Sequence, residues 1–169
     1  MTRKHTRRRV VVPLPPRGLR EKLNGSSLTT LAIAHMTNLD EICRGTANVQ
    51  TMWDLCGAVF TWSHAAQMLP PGHLVSIYQP GADEAQDVVA TEAMVAQLDL
   101  AAKVVERYHR TGRIGFSGPE YQLAKLGVQI MDRLAERIDL ASAKVAADWS
   151  EATLDRLVAE ARKQPRRAA

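Results

Sequence analysis

Between Leu28 and Val145 apolar side chains return every three or four residues, and the runs are cut at Gly45, at Pro70-Pro71-Gly72 and at Gly112. That spacing gathers the side chains on one stripe of an α-helix, whereas the strict alternation of a half-buried strand is absent. The chain is thereby restricted to helices that bury their stripes against one another. Alanine, which loses least on entering a helix, occurs 24 times in 169 residues and points the same way. The expected fold class is all-α: a helical bundle of about five helices, two of them long and antiparallel, behind a disordered basic N-terminal arm.

Start and stop signals place the elements. A first helix is predicted from Ser27 to Arg44, with Leu28, Leu31, His35, Leu39 and Ile42 on its stripe and Gly45 as its stop. A second is predicted from Thr46 as N-cap to Leu69, where the two prolines end it. Residues 73–82 read as a loop laying an apolar patch over the bundle, with a short extended segment as the alternative. Asp83 and Gln86 have the spacing of a capping box that opens a long helix through Val88, Val95 and Val105 to Gly112. Ser117 and Glu120 form a second such box, with Pro119 tolerated in the first turn, and the helix it opens is expected to run through Ile138 to Val145. The short link between these two helices makes them antiparallel neighbours, the spine of the bundle. Ser150 is expected to cap a short last helix. The divisions are an arm over 1–24, a helical domain over 25–164 and a basic tail over 165–169.

Charge is segregated along the chain. Seven of the first twenty residues are basic (Arg3, Lys4, Arg7, Arg8, Arg9, Arg17, Arg20) and none is acidic, and four more cations fall in the last eight residues. Of 22 basic residues, 11 remain to face all 18 acids, so the formal +4 conceals a body near −7. Arginines in such an arm gain affinity for a phosphate backbone by displacing condensed counterions. With no aromatic residue among them, they favour phosphate contact over base stacking. DNA, RNA and an acidic protein surface all suit the arm, and so does a solvated tail with no partner. Lys103, Arg107 and Arg110 share a helix face and with Arg113 extend the candidate nucleic-acid track, although cations at a helix C-terminus are also favoured by the dipole alone. Pro13-Leu14-Pro15-Pro16 matches a proline-rich ligand pattern, more often a stiff spacer.

Catalytic signatures are missing. Glu106 and His109 have the Glu-x-x-His spacing of di-iron bundles, but no second copy accompanies them. His35, Cys43, Cys56 and His64 have zinc-ligand chemistry at the wrong spacing, and read better as two buried thiols and two histidines at a polar edge. The glycines at 111–118 lack the lysine and preceding strand of a phosphate loop. No metal, cofactor or catalytic residue is expected. Apolar runs are too short for a membrane span, and the sparse cysteines suit a cytoplasmic protein.

Thr2-Arg-Lys-His-Thr-Arg-Arg-Arg-Val10 and Thr111-Gly-Arg-Ile-Gly-Phe-Ser-Gly-Pro-Glu120 resemble segments in a group of short, uncharacterised helical proteins of bacterial phages, prophages and integrative elements. In that group a basic arm precedes helices joined by a similar Thr-Gly-Arg turn. The resemblance implies a setting and no reaction, and it carries over no site residues. The expected function is that of a non-enzymatic accessory protein binding nucleic acid through its arm, with the bundle supplying shape and a surface for a homodimer. The alternative is an inhibitor or adaptor whose acidic helical surface engages a host protein, for example a defence component.

Overall fold

The computed structural model describes residues 21–79 and 81–163. Its elements are α1 (Gly25–Arg44), α2 (Val49–Ala66), β1 (Leu74–Tyr78), β2 (Ala85–Val89), α3 (Ala90–Thr111), α4 (Gly118–Arg137) and α5 (Leu140–Lys163). The fold is mostly helical, as the periodicity requires, with a small two-stranded sheet that the all-α expectation lacked. The expected arm, including Arg3 to Arg20, lies outside the described residues.

Helix starts are set by side chains that satisfy orphan N–H groups. Asn24, three residues before the expected helix start, caps α1 by accepting from the Ser27 amide at 2.8 Å. In α2 the cap is Asn48, not Thr46: its carbonyl oxygen accepts from the Thr51 amide at 3.1 Å while Thr51 Oγ1 accepts from the Asn48 amide at 3.3 Å. This reciprocal pair satisfies two amides, which a lone Thr46 could not. The Thr46 hydroxyl instead returns to the Glu41 carbonyl in the turn.

The expected capping box at Asp83 and Gln86 does not form. Residues 74–78 and 85–89 pair as an antiparallel hairpin, Leu74 opposite Val89 and Tyr78 opposite Ala85, so the extended alternative holds for the first segment and the second is strand as well. Val75 and Ile77 point inward and are buried while Leu74 and Tyr78 face out, the alternation of a strand with one covered face. The β-branched pair Val88-Val89 prefers this extended backbone, and α3 starts only at Ala90, whose amide donates to the His73 carbonyl at 2.9 Å. Gln129 of α4 caps the free edge of β1: its amide accepts from the Tyr78 N–H at 2.8 Å and donates to the Tyr78 carbonyl at 3.0 Å.

The division near the C-terminus also differs from expectation. α4 stops at Arg137, Ile138 is extended, and Asp139 accepts from both the amide and the hydroxyl of Ser142 to open α5. Ser150 caps nothing: it is buried inside α5 and donates to the Gly57 carbonyl at 3.1 Å. The helices consequently run 20, 18, 22, 20 and 24 residues, so α3 and α4 are not set apart as the two long ones.

Helices α1 to α4 form a ring in chain order, with α2 and α4 across the diagonal, and α5 packs on the outer side of α2. Leu39, Met94, Val104, Ile130 and Leu134 are almost fully buried at the centre of the ring. α2 has apolar residues on both flanks because it is covered from both: Val59 and Trp62 are buried, and Phe60 lies against Trp149 of α5. The described N-terminus is tied to the start of α5, since the Leu140 amide donates to the Glu21 carbonyl at 2.7 Å and Lys22 bridges to Asp139.

Candidate functional site

Gly112 ends α3 in the left-handed conformation (φ 68°), which a residue without Cβ adopts at least cost. The chain then turns sharply, and Arg107, one helical turn back, faces the loop. Its guanidinium donates to the Gly115 carbonyl and lies 2.6 Å from Glu120 Oε1 in α4. The other carboxylate oxygen of Glu120 accepts from the Ser117 amide at 2.7 Å, so the expected capping residue also anchors the cation. The Arg107 hydrogen bond, followed by the Ser117 amide, holds the Glu120 carboxyl down to about 2. Arg107 is thus engaged in the turn, and only 28% of its side chain remains exposed. Lys103, Arg110 and Arg113 are exposed. The corner presents three exposed cations around one that is occupied.

The four residues with zinc-ligand chemistry are dispersed. His35 is buried, edge-on to Trp62, with Nδ1 3.5 Å from Asp132 Oδ1, an ion-pair distance that matters only when the ring is protonated. His64 stacks on Trp149 at 4.3 Å, and burial holds its imidazole below the ordinary value. Cys56 is buried, and that burial pushes its thiol up to about 11. Cys43 is exposed, which corrects the expectation of two buried thiols: it lies one position past buried Ile42 in α1. Among the described residues no group of three or more His, Cys, Asp or Glu side chains is placed to hold a metal ion. Glu106 and His109 are both exposed.

The feature absent from the sequence reading is a trough. Because α5 rests on α2 and leans toward neither neighbour, a furrow remains along each side. The furrow toward α1 encloses about 610 Å³ and mixes Asn38, Gln50, Asp54 and Glu151 with apolar groups. The one toward α3 is larger, about 980 Å³, and is apolar: Trp53, Phe60, Val105, Tyr108, Leu154 and Leu157 line it, with Glu106 and His109 as its polar groups. Val49, Trp53 and Leu157 on its walls are 43%, 36% and 41% exposed, unusual for side chains of that size in one place. The available signal was the breadth of α2, where Val49, Met52, Trp53, Cys56 and Phe60 cover more than one stripe. Among the described residues no helix is long and apolar enough to cross a membrane. Compared with family models, with curated proteins and with solved structures, the chain matches none.

Proposed function

We propose that the protein is a non-enzymatic accessory protein of a phage or mobile element that binds DNA or RNA through Arg3, Lys4, Arg7, Arg8, Arg9, Arg17 and Arg20. The observation that carries this reading is the charge segregation, seven cations without an acid in the first twenty residues of a chain whose body is near −7. An acidic body repels a phosphate backbone, so attraction is confined to the basic segments. Arg110 and Arg113 add exposed cations at the α3–α4 corner. Arg107 is withdrawn from the set, because its guanidinium already serves Gly115 and Glu120.

The test is electrophoretic mobility of duplex DNA and of RNA with the full chain and with its Arg7→Glu, Arg8→Glu, Arg9→Glu variant. If the arm cations contact phosphates, affinity falls on the order of a thousandfold between about 50 and about 200 mM salt, and the triple variant loses binding at both. Equal affinity of the two proteins would sink the reading. The acidic body favours one other reading, a surface that imitates the charge of a nucleic acid and engages a host protein. Co-purification of one stoichiometric host protein, unaffected by nuclease, would support that instead.

A further inference from the structure

We propose that the outer edge of β2 receives an extended, basic segment of another protein, which pairs with it as a third strand. The register shows which main-chain groups are offered. The Ala90 amide donates to the His73 carbonyl, and that pair continues the ladder in which Val88 faces Val75 and Gln86 faces Ile77. Facing pairs of an antiparallel ladder alternate between those that exchange hydrogen bonds and those that do not. Val88 and Gln86 are therefore bonded to β1, and the N–H and C=O groups of Ala85 and Asp87, with the N–H of Val89, point away from it. β1 obeys the same parity, because the outward groups of Tyr78, opposite Ala85, are those that Gln129 takes up. α4 lies along β1, whereas β2 packs on β1 and runs on into α3. Among the described residues nothing donates to or accepts from the outward groups of Ala85 and Asp87.

Charge selects the occupant. From Gly45 to Ala102 the chain has six acids and no lysine or arginine. Three of those acids, Asp83, Glu84 and Asp87, are exposed beside and on β2. Ser76 Oγ donates to Asp87 Oδ1 at 2.5 Å, which holds the carboxylate on the outward face of the hairpin. A second copy is a poor occupant. Two β2 edges paired antiparallel over all five residues set Asp87 opposite Asp87, and like charges directly opposed destabilise a ladder. Lysines or arginines at alternate positions of an added strand share one face and lie beside Asp87, while its main chain satisfies the open groups of β2. Main-chain pairing supplies affinity, and the acids supply the choice of partner. The inference concerns the hairpin and stands or falls apart from nucleic-acid binding.

The test adds a short peptide of alternating lysine and valine to the full chain, without nucleic acid, and follows backbone amide exchange. Exchange at Ala85, Asp87 and Val89 is expected to slow more than at Gln86 and Val88, which are already bonded to β1. Asp87→Lys should weaken peptide binding about fivefold, with an unchanged far-ultraviolet spectrum reporting an intact bundle. The same peptide N-methylated throughout keeps its charges and cannot donate, so it is expected to leave Ala85 and Asp87 unprotected. Equal affinity of the N-methylated peptide reduces the effect to attraction between charges and overturns the proposal. Exchange unchanged by saturating lysine-valine peptide overturns it too. Protection of the same amides on concentrating the chain alone assigns the edge to a second copy and overturns it as well.

Discussion

The two flanks of α3, toward α4 and toward α5, are built on opposite principles. Toward α4 the seam is closed by polar groups that meet defined partners. The buried Gln97 amide donates to the Leu123 carbonyl at 3.1 Å and occupies the space over Gly127, and Arg107 bonds Gly115 and Glu120 at the turn. Toward α5 the seam is open and apolar, lined by Val105, Tyr108, Leu154 and Leu157 among the described residues. A buried polar group is costly unless its partner is in place, so the closed seam has one solution and tolerates little change. Apolar contact is non-directional, so the open seam accepts any occupant of suitable shape. One helix thus carries the part of the molecule that specifies the fold and a part that is free to receive something.

The largest effect is expected where the closed seam is tightest. A Cβ at position 127 would collide with the Gln97 side chain, so Gly127→Val must expel a buried amide. Overpacking plus the loss of its hydrogen bond should cost on the order of 3 kcal/mol in urea unfolding. Adding Gln97→Ala should return part of that loss, a non-additivity that would be missing if the two did not share one site.

Next in size is the turn. Arg107→Ala removes a charge-assisted pair from a half-buried place and should destabilise by about 2 kcal/mol at neutral pH. Glu120 has a folded value near 2 against an ordinary value of 4.5, so the unfolded chain takes up its proton first as the solution is acidified. The contribution is present in full above pH 4.5 and is lost as pH falls through the folded value near 2. The stability difference between wild type and Arg107→Ala should shrink across that window, and a difference constant with pH would assign the loss to packing of the arginine stem.

The smallest effect probes the open seam. Cys56 stands in the trough wall with its thiol pushed up to about 11, whereas Cys43 is exposed on α1. At pH 8 a disulfide reagent should modify Cys43 at least about tenfold faster than Cys56, and both together after unfolding. Equal rates in the native protein would mean that the open seam reaches further into the body than the static geometry shows.

The contrast also explains what the sequence made legible. Helix α1, the end of α3 and the start of α4 could be placed within a few residues, because the stripes are single-sided and the stops of α1 and α3, Gly45 and Gly112, are glycines with left-handed backbone, whereas α3 begins only at Ala90 and α4 ends at Arg137, short of the expected Val145. The Ser117 and Glu120 pairing was legible for the same reason, since a capping box is a local interaction. The Asp83 and Gln86 pair has the same local spacing, yet tertiary pairing of Val88 and Val89 with β1 prevails there. Ser150 misleads because its real partner, the Gly57 carbonyl, lies 93 residues away. The trough was invisible for a related cause: it arises from the docking of α5 on α2, a choice of neighbour that periodicity does not encode. That Arg107 is committed to the turn depended on the same long-range information, whereas its place on a basic helix face did not.

The amide of Gln129 occupies the backbone of Tyr78 as a neighbouring strand would, one residue wide. A bare strand border is a template on which extended segments of other molecules add, and aggregation follows. The glutamine closes that border with a side chain from a helix, which cannot propagate. The protection of that edge of β1 thus comes from a residue that belongs to neither strand.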